Sequence, residues 1–173
     1  MIWTFRLAVQ ELLGRTVTPL SHSPPKAIAK EEKKEFKLPE ANANMHRVYA
    51  YLIKQRFIAP DIISYFAKQH TLYEDKEHHN AVFVGVDENG VPRQASKRST
   101  STFGNAFRIT CEGSDTKYSF SHFGKSSRLY VFEAPIDMMS FLTLYPKDWQ
   151  QHSYIAMNGV YENDRFNGFK ESF

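Results

Sequence analysis

The stretch RLYVFEAPIDMMSFLTLY, residues 128–145, decides the fold, because its apolar residues change there from a strand rhythm to a helix rhythm. LYVF is a short apolar run of the kind that forms a buried strand, and IDMMSFLTLY carries the apolar spacing of a helix. Pro135 suits the first turn of that helix, where its missing N–H has no partner to lose. The stretch therefore predicts a strand followed at once by a helix.

A second buried strand is predicted in SYIAMNGV, at 153–160. A strand, a helix and a strand at this spacing form a βαβ unit, whose two strands are parallel and joined by a right-handed crossover. In such sheets ligands bind beyond the carboxyl ends of the strands. Glu133 leaves the first strand at that end and Asp137 lies on the first helical turn, so these carboxylates form the candidate site.

Two carboxylates at such a point can bind Mg²⁺ through oxygen, with waters and substrate phosphates completing its shell. Alternatively, one of them can transfer a proton. The structural alternative is the more frequent one, since an Asp in a first helical turn is more often a capping and dipole residue than a ligand. Spacing alone therefore does not establish a functional pair.

Upstream of this unit the patterns predict helices and then antiparallel strands. Asn44 is a suitable N-cap for one helix, and Pro60 suits the start of a second, so the two form a helical hairpin. AVFVGV and VPRQASKR flank the turn DENG at 87–90 and predict a β-hairpin. Further strands are expected at 105–110 and 117–122. The predicted fold class is α+β: a helical hairpin and an antiparallel β-hairpin region, then a truncated βαβ unit.

The chain divides into four predicted segments, 1–14, 15–43, 44–126 and 127–173. The first is a short amphipathic helix that stops at Gly14, and the second is a proline-containing linker with the charged run KEEKKE. The third is the α+β region and the fourth is the βαβ unit.

Composition narrows the class of protein. With 42% hydrophobic and 24% charged residues, the 173-residue chain has the composition of a globular protein. A single cysteine, Cys111, excludes an internal disulfide and any zinc site that needs two thiolates, and it favours a reducing, cytoplasmic location. No apolar run approaches the roughly 18–20 residues that span a bilayer. The net charge of +3 permits an anionic partner without requiring one.

Basic residues lie on the predicted hairpin and just before the βαβ unit. They can contact nucleic-acid phosphates in a sequence-independent, salt-sensitive mode, although an ordinary solvated surface would have the same pattern. Phe120, His122 and Phe123 are candidates for stacking on unpaired bases, and His78-His79 is assigned to a loop. The basic candidates are Arg93, Lys97, Arg98, Lys125 and Arg128.

The segment RLYVFEAPIDMMSFLTLY, followed by HSYIAMNGV, resembles the start of a Toprim domain, the catalytic module of bacterial primases, type IA and type II topoisomerases and some nucleases. The preceding RVYAYLIKQRFIAPDIISYF and AVFVGVDENGVPRQASKR are similar to the DUF3991 region, which precedes Toprim in primase-like proteins of plasmids and integrative elements. The N-terminal TFRLAVQELLG is similar to the last helix of the zinc-binding module found before such regions.

This sequence departs from the Toprim pattern in two ways. Ala134 stands where primases have glycine after the glutamate, and the Asp-x-Asp pair of the third Toprim strand is missing from the sequence. The resemblance therefore implies a fragment with an incomplete Toprim unit. Such a fragment is expected to bind Mg²⁺ weakly at best and to have no polymerase activity.

The resemblance implies a primase-like role in replication or transfer of a mobile element, with Mg²⁺-dependent phosphoryl transfer in the intact parent. Glu133 would then act as acid/base or metal ligand, Asp137 would support the metal, and the five basic candidates would contact nucleic acid. The expected partners are single-stranded DNA or RNA and a replication protein such as a helicase. The alternative is a non-catalytic module that binds single-stranded nucleic acid or a replication partner. Primase, nuclease and topoisomerase-like chemistry stay open.

Overall fold

A computed structural model describes residues 35–101 and 106–157. The predicted N-terminal helix at 1–14 and most of the predicted linker lie outside the described residues, as does the end of the βαβ unit from residue 158 on. Within the described ranges, three α-helices, one short 3-10 helix at Trp149–Gln151 and seven strands follow one another along the chain.

The predicted helical hairpin is confirmed. Helix α1 spans His46–Lys54 and helix α2 spans Pro60–Lys68. The predicted N-cap is off by one residue: Met45 is the N-cap and makes no capping side-chain hydrogen bond, while Asn44, just before it, accepts a hydrogen bond of 3.1 Å from the backbone N–H of His46.

A four-stranded antiparallel sheet follows, in the order β1-β2-β3-β4. The predicted turn between β2 and β3 is built around the buried carboxylate of Asp87, which accepts backbone N–H groups from Asn89 at 3.0 Å and Val91 at 2.9 Å. Gly90 supplies the positive φ of 75° that this turn needs. The strands are β1 Leu72–Glu74, β2 Ala81–Val86, β3 Pro92–Arg98 and β4 Arg108–Thr110.

The second sheet has the order β5-β7-β6, with β5 at Phe120–His122, β6 at Leu129–Phe132 and β7 at Ser153–Ala156. Strands β6 and β7 are parallel, and helix α3, Pro135–Leu144, connects them as predicted. Strand β5 pairs antiparallel with β7, so the sheet is mixed. The α+β fold class with a partial Toprim-like unit is confirmed.

Strand β6 differs from its predicted burial. LYVF was expected to be a buried, central strand, but Leu129 and Val131 are 39% and 43% exposed. Within the described residues β6 pairs only with β7, so it is an edge strand with one face open. An apolar run by itself does not reveal how many neighbours a strand has, because burial depends on what the sheet packs against.

One hydrophobic core joins the two predicted regions. Its members come from both helices of the hairpin, from the first sheet, from the second sheet and from α3; they include Leu52, Ile63, Phe66, Phe83, Phe120, Met139 and Leu142. The sheets approach closely at Gly85, where an added Cβ would lie 2.2 Å from the carbonyl oxygen of Tyr118. The helical hairpin and helix α3 are therefore fixed relative to each other, because both pack into the same core.

The last residues of the predicted linker contact strand β1. The Tyr73 hydroxyl donates to the Pro39 carbonyl at 2.7 Å, and the backbone N–H of Asn42 donates to Glu74 O at 2.8 Å. Ala41 forms an antiparallel bridge with Asp75. No helix of the described ranges is long and apolar enough to cross a membrane.

Candidate functional site

The two predicted carboxylates lie at the junction of β6 and α3. Ala134 is extended, with φ −138° and ψ 153°, and its carbonyl accepts the first helical N–H groups, from Asp137 at 3.1 Å and Met138 at 3.2 Å. Pro135 begins the helix as predicted. Glu133 and Asp137 are both exposed, so their carboxylates are accessible to a ligand.

Both carboxylates line one pocket, with a cavity volume of about 230 Å³. The segment 133–137 forms one wall, and the first sheet with the loop between α1 and α2 forms the rest. The residues from those other elements are Arg56, Phe83, Ser96, Lys97, Arg98 and Arg108. The structure thus brings the acidic pair to a basic surface that is distant in sequence.

Two of the predicted basic residues, Lys97 and Arg98, line this pocket. They are neighbours on β3, so their side chains point to opposite faces of the sheet. The Lys97 ammonium lies 3.4 Å from the buried Asp75 carboxylate, which partly neutralises it. The Arg98 Nε donates a hydrogen bond of 3.3 Å to the Tyr51 hydroxyl.

Arg56 is a pocket residue that the sequence analysis did not identify. Its Nε donates to the same Tyr51 hydroxyl at 2.9 Å, and its guanidinium lies 5.3 Å from the centre of the Tyr51 ring, a cation–π contact. Tyr51 is only 4% exposed, so its hydroxyl is a fixed acceptor for both arginines. The signal available in the sequence was the basic end of α1, KQR at 54–56.

Arg108 is the second pocket residue that the sequence analysis did not identify. Strand β4 pairs with β3 so that Arg108 stands directly opposite Arg98. Like charges directly opposite on neighbouring strands repel and destabilise the pairing. The strand at 105–110 was predicted, but its register, which creates this arrangement, was not.

The charges at the pocket form no ion pairs within the part of the chain that the structure describes. Among the described residues, no ion pair within 4.0 Å involves Arg56, Arg98 or Arg108, and none involves Glu133 or Asp137. Unpaired charges of both signs at one pocket are the arrangement expected where phosphate and a cation bind together.

The other three predicted basic residues lie elsewhere. Arg93 Nε is 2.7 Å from Asp87 Oδ2, so its charge is paired within the hairpin. The backbone hydrogen bond from Val91, then that from the Arg93 side chain, hold the pKa of Asp87 below its ordinary value. Lys125 and Arg128 are exposed on the segment before β6, outside the lining of the pocket.

The aromatic candidates differ in their exposure to solvent. Phe120 is fully buried in the core and cannot stack on a base, whereas Phe123 is 57% exposed. The His122 Nδ1 lies 2.9 Å from the Tyr65 hydroxyl, and burial lowers the pKa of this imidazole. Cys111 is half-buried against a small apolar cluster of Val82, Val84 and Ala95 on β2 and β3, and burial raises the pKa of its thiol.

The donor set tests whether a metal fits. In the described ranges, no group of three or more His, Cys, Asp or Glu side chains is placed to hold a metal ion. Two carboxylates in an open pocket do fit Mg²⁺, because this ion usually keeps several waters and takes only one or two carboxylates from the protein. The two carboxylates can therefore share a Mg²⁺ ion with a phosphate ligand. They do not form a metal site whose ligands all come from the protein.

A parallel strand–helix–strand unit with a glutamate at the strand end, fused to an α+β region, defines a class of Toprim-like proteins. The comparisons with known families agree: residues 50–126 match the family described as protein of unknown function (DUF3991), and residues 130–172 match the family described as Toprim-like. The chain is a DUF3991/Toprim-domain protein.

Among curated proteins, the chain is similar to an uncharacterized protein of Bacillus anthracis, with 24% identity over 132 residues. The similarity covers 73% of this chain and 38% of that relative. The chain therefore spans well under half the length of the curated relative it matches. No solved structure matches the chain.

Proposed function

We propose that this chain binds nucleic-acid phosphates in the pocket formed by β3, β4 and the start of α3, as part of a Toprim protein that transfers phosphoryl or nucleotidyl groups. One observation carries the proposal: Glu133 and Asp137 line the same pocket as Arg56, Arg98 and Arg108. A site of this composition can hold a phosphate and a divalent cation side by side.

Each side chain has a defined part in this proposal. The guanidinium groups bind and orient phosphate oxygens through charge-assisted hydrogen bonds, which are stronger than neutral ones. Glu133 and Asp137 would hold Mg²⁺, which when bound supplies charge neutralisation at the phosphate. Glu133 is exposed at the strand end, so its carboxylate can alternatively accept or donate a proton at the reacting oxygen.

The proposed ligand is single-stranded DNA or RNA. Lys125 and Arg128 lie outside the pocket lining, so they are proposed to contact phosphates farther along the strand; Arg93, paired with Asp87, is proposed as a weaker contact of the same kind. Replication or transfer of a mobile element and a helicase-type partner belong to the same proposal and rest on the Toprim-like match. The proposed cytoplasmic location rests on the single cysteine, Cys111.

Binding is tested by fluorescence anisotropy with a labelled single-stranded oligonucleotide at several salt concentrations. Phosphate contacts require that affinity fall as salt rises, with a slope of roughly −0.7 per contacted phosphate in a double-logarithmic plot. Arg98→Gln should weaken binding and reduce that slope, whereas Lys117→Gln, an equal charge change at an exposed turn outside the pocket, should not. Absence of binding at low salt would refute the proposal.

Glu133→Gln and Asp137→Asn test the metal part without requiring turnover. In wild type, Mg²⁺ should strengthen binding of the oligonucleotide, because the ion would link the carboxylates to a phosphate. In either variant this gain should disappear, and binding without Mg²⁺ should be tighter because a repulsive charge has been removed. An equal Mg²⁺ effect in wild type and both variants would remove these residues from the metal site.

A non-catalytic binding module is the second candidate. It is favoured by the finding that the described residues bring two carboxylates to the pocket and no third ligand. For this candidate, oligonucleotide binding depends on Arg98 while Mg²⁺ has no effect on affinity in wild type. The same titrations therefore separate the two functions.

A further inference from the structure

Three guanidinium groups converge on the pocket with their charges unpaired in the described part of the chain: those of Arg56, Arg98 and Arg108. Tyr51 accepts the Nε–H of both Arg56 and Arg98, so these two Nε atoms are held within two hydrogen-bond lengths of each other. An arginine has five N–H donors, and among the hydrogen bonds within the described ranges only the Nε–H of each is used. Within those ranges the Nη groups of both side chains have no acceptor.

The strand pairing does not explain this arrangement, and the carboxylates of Glu133 and Asp137, which line the same pocket, offset only part of its positive charge. Arg98 and Arg108 are cross-strand neighbours of like charge, which disfavours the pairing of β3 with β4. Arg56 adds a third positive charge through the shared Tyr51 hydroxyl. A bound anion would relieve the repulsion among all three groups.

The size and charge of the pocket select the kind of anion. Whole small molecules occupy pockets of roughly 300–1,000 Å³, and this one, at about 230 Å³, suits a phosphate with part of its sugar better than an entire nucleotide. A phosphodiester offers one negative charge. A phosphate monoester offers a charge of about −1.5 to −2 near pH 7 and three acceptor oxygens. Three arginines match the monoester.

We propose that Arg56, Arg98 and Arg108, with Tyr51 as the positioning residue, bind the terminal phosphate of a nucleic-acid strand. This inference rests on the proposed function and adds an orientation to it. A terminal phosphate in this position brings the end of the strand, rather than its middle, to Glu133 and Asp137.

The test compares labelled single-stranded oligonucleotides that carry a 5′-phosphate, a 3′-phosphate or hydroxyl groups at both ends, using the full chain. Wild type should bind one phosphorylated oligonucleotide about tenfold or more tightly than the hydroxyl-ended one, as expected for added hydrogen bonds to a charged group. Arg98→Gln and Arg108→Gln should lose most of this preference. The matched control Arg47→Gln, an exposed arginine of α1 that does not line the pocket, should keep it.

Tyr51→Phe keeps the buried ring and removes the hydroxyl that both arginines share. We expect it to lose most of the preference for the phosphorylated end, because Arg56 and Arg98 are no longer held by a shared acceptor. A loss of helical circular dichroism would identify misfolded variants. Arg108→Lys would then be used in their place, because it keeps the positive charge but lacks the planar guanidinium group.

Inorganic phosphate provides a measurement that does not depend on oligonucleotide binding. It should raise the melting temperature of wild type and of Arg47→Gln, but raise that of Arg98→Gln and Arg108→Gln less. Equal wild-type affinity for all three oligonucleotides, or an undiminished preference in the arginine variants, would overturn the inference. If inorganic phosphate stabilises wild type selectively while no oligonucleotide binds, the phosphate site stands and the proposed function fails.

Discussion

Arg98 and Arg108 lie directly opposite each other on β3 and β4, and both line the pocket that contains Glu133 and Asp137. A like-charge pair in this position weakens the sheet. The proposed phosphate ligand would offset this repulsion, so variants at the pair separate the proposed binding from stability.

Arg108→Glu should separate stability from binding. The new carboxylate faces Arg98, so we expect the free energy of unfolding to rise by roughly 0.2–1 kcal/mol, measured by urea denaturation. Single-stranded oligonucleotide binding should weaken at least tenfold in the same protein, because two charge units change at the pocket. Lys117→Glu, the same charge change at an exposed turn outside the pocket, should leave both quantities near wild type. A destabilised Arg108→Glu that binds normally would contradict the interpretation.

Glu74→Gln should lower stability through the start of α1. The buried Glu74 carboxylate accepts the backbone N–H groups of Arg47 and Val48 at 2.9 and 3.2 Å, and the Nδ1 of His79 lies 2.6 Å away. Losing a charged, buried acceptor costs about 1–3 kcal/mol. Glu77→Gln, at an exposed position, should cost much less.

The effect of Glu74→Gln should depend on pH. Burial by itself raises the pKa of Glu74, but its hydrogen bonds, led by that from His79, outweigh burial and leave the pKa below its ordinary value. The folded state thus binds the proton less readily than the unfolded chain, so this contribution is present above the unfolded value of about 4.3. It is lost as the pH falls through the lowered folded pKa. Urea denaturation between pH 7 and pH 3 should show the wild-type advantage shrinking, and a constant difference would contradict this explanation.

Gly85→Ala should destabilise the contact between the two sheets. Its Cβ would meet the Tyr118 carbonyl oxygen at 2.2 Å and the carbon at 2.7 Å, and backbone atoms cannot move aside cheaply. Overpacking of this kind costs about 1–3 kcal/mol or more. Gly90→Ala meets nothing within 4 Å and has only its φ of +75° to accommodate, so it should cost about 1 kcal/mol. Thermal denaturation should give a lower melting temperature for Gly85→Ala than for Gly90→Ala. Equal melting temperatures would contradict the close approach of Gly85 to the Tyr118 backbone.

Lys125→Gln with Arg128→Gln tests the proposed path of a strand beyond the pocket. Both side chains are exposed and outside the pocket lining, so they can reach only the outer part of a long ligand. The double variant should weaken binding of a long single-stranded oligonucleotide and reduce its salt slope. Binding of a short oligonucleotide that fills only the pocket should stay at the wild-type level. If the affinities for the long and the short oligonucleotide fall equally, Lys125 and Arg128 do not contact the part of the strand outside the pocket.

The sequence by itself determined most of the elements and their order, but it did not predict strand β1. The change of rhythm at 128–145 predicted β6 and α3, the DENG turn predicted the hairpin, and Asn44 and Pro60 predicted the helix starts, because these signals act between residues close in the chain. It also singled out Glu133, Asp137, Lys97 and Arg98, which the structure brings to one pocket. Only the tertiary structure decided that β6 is an edge strand in the described sheet, that Arg108 opposes Arg98, and that Arg56 shares the hydroxyl of Tyr51. Strand register and the packing of a helical hairpin against a distant βαβ unit are set by a shared core whose members are far apart in sequence, and no local pattern records them.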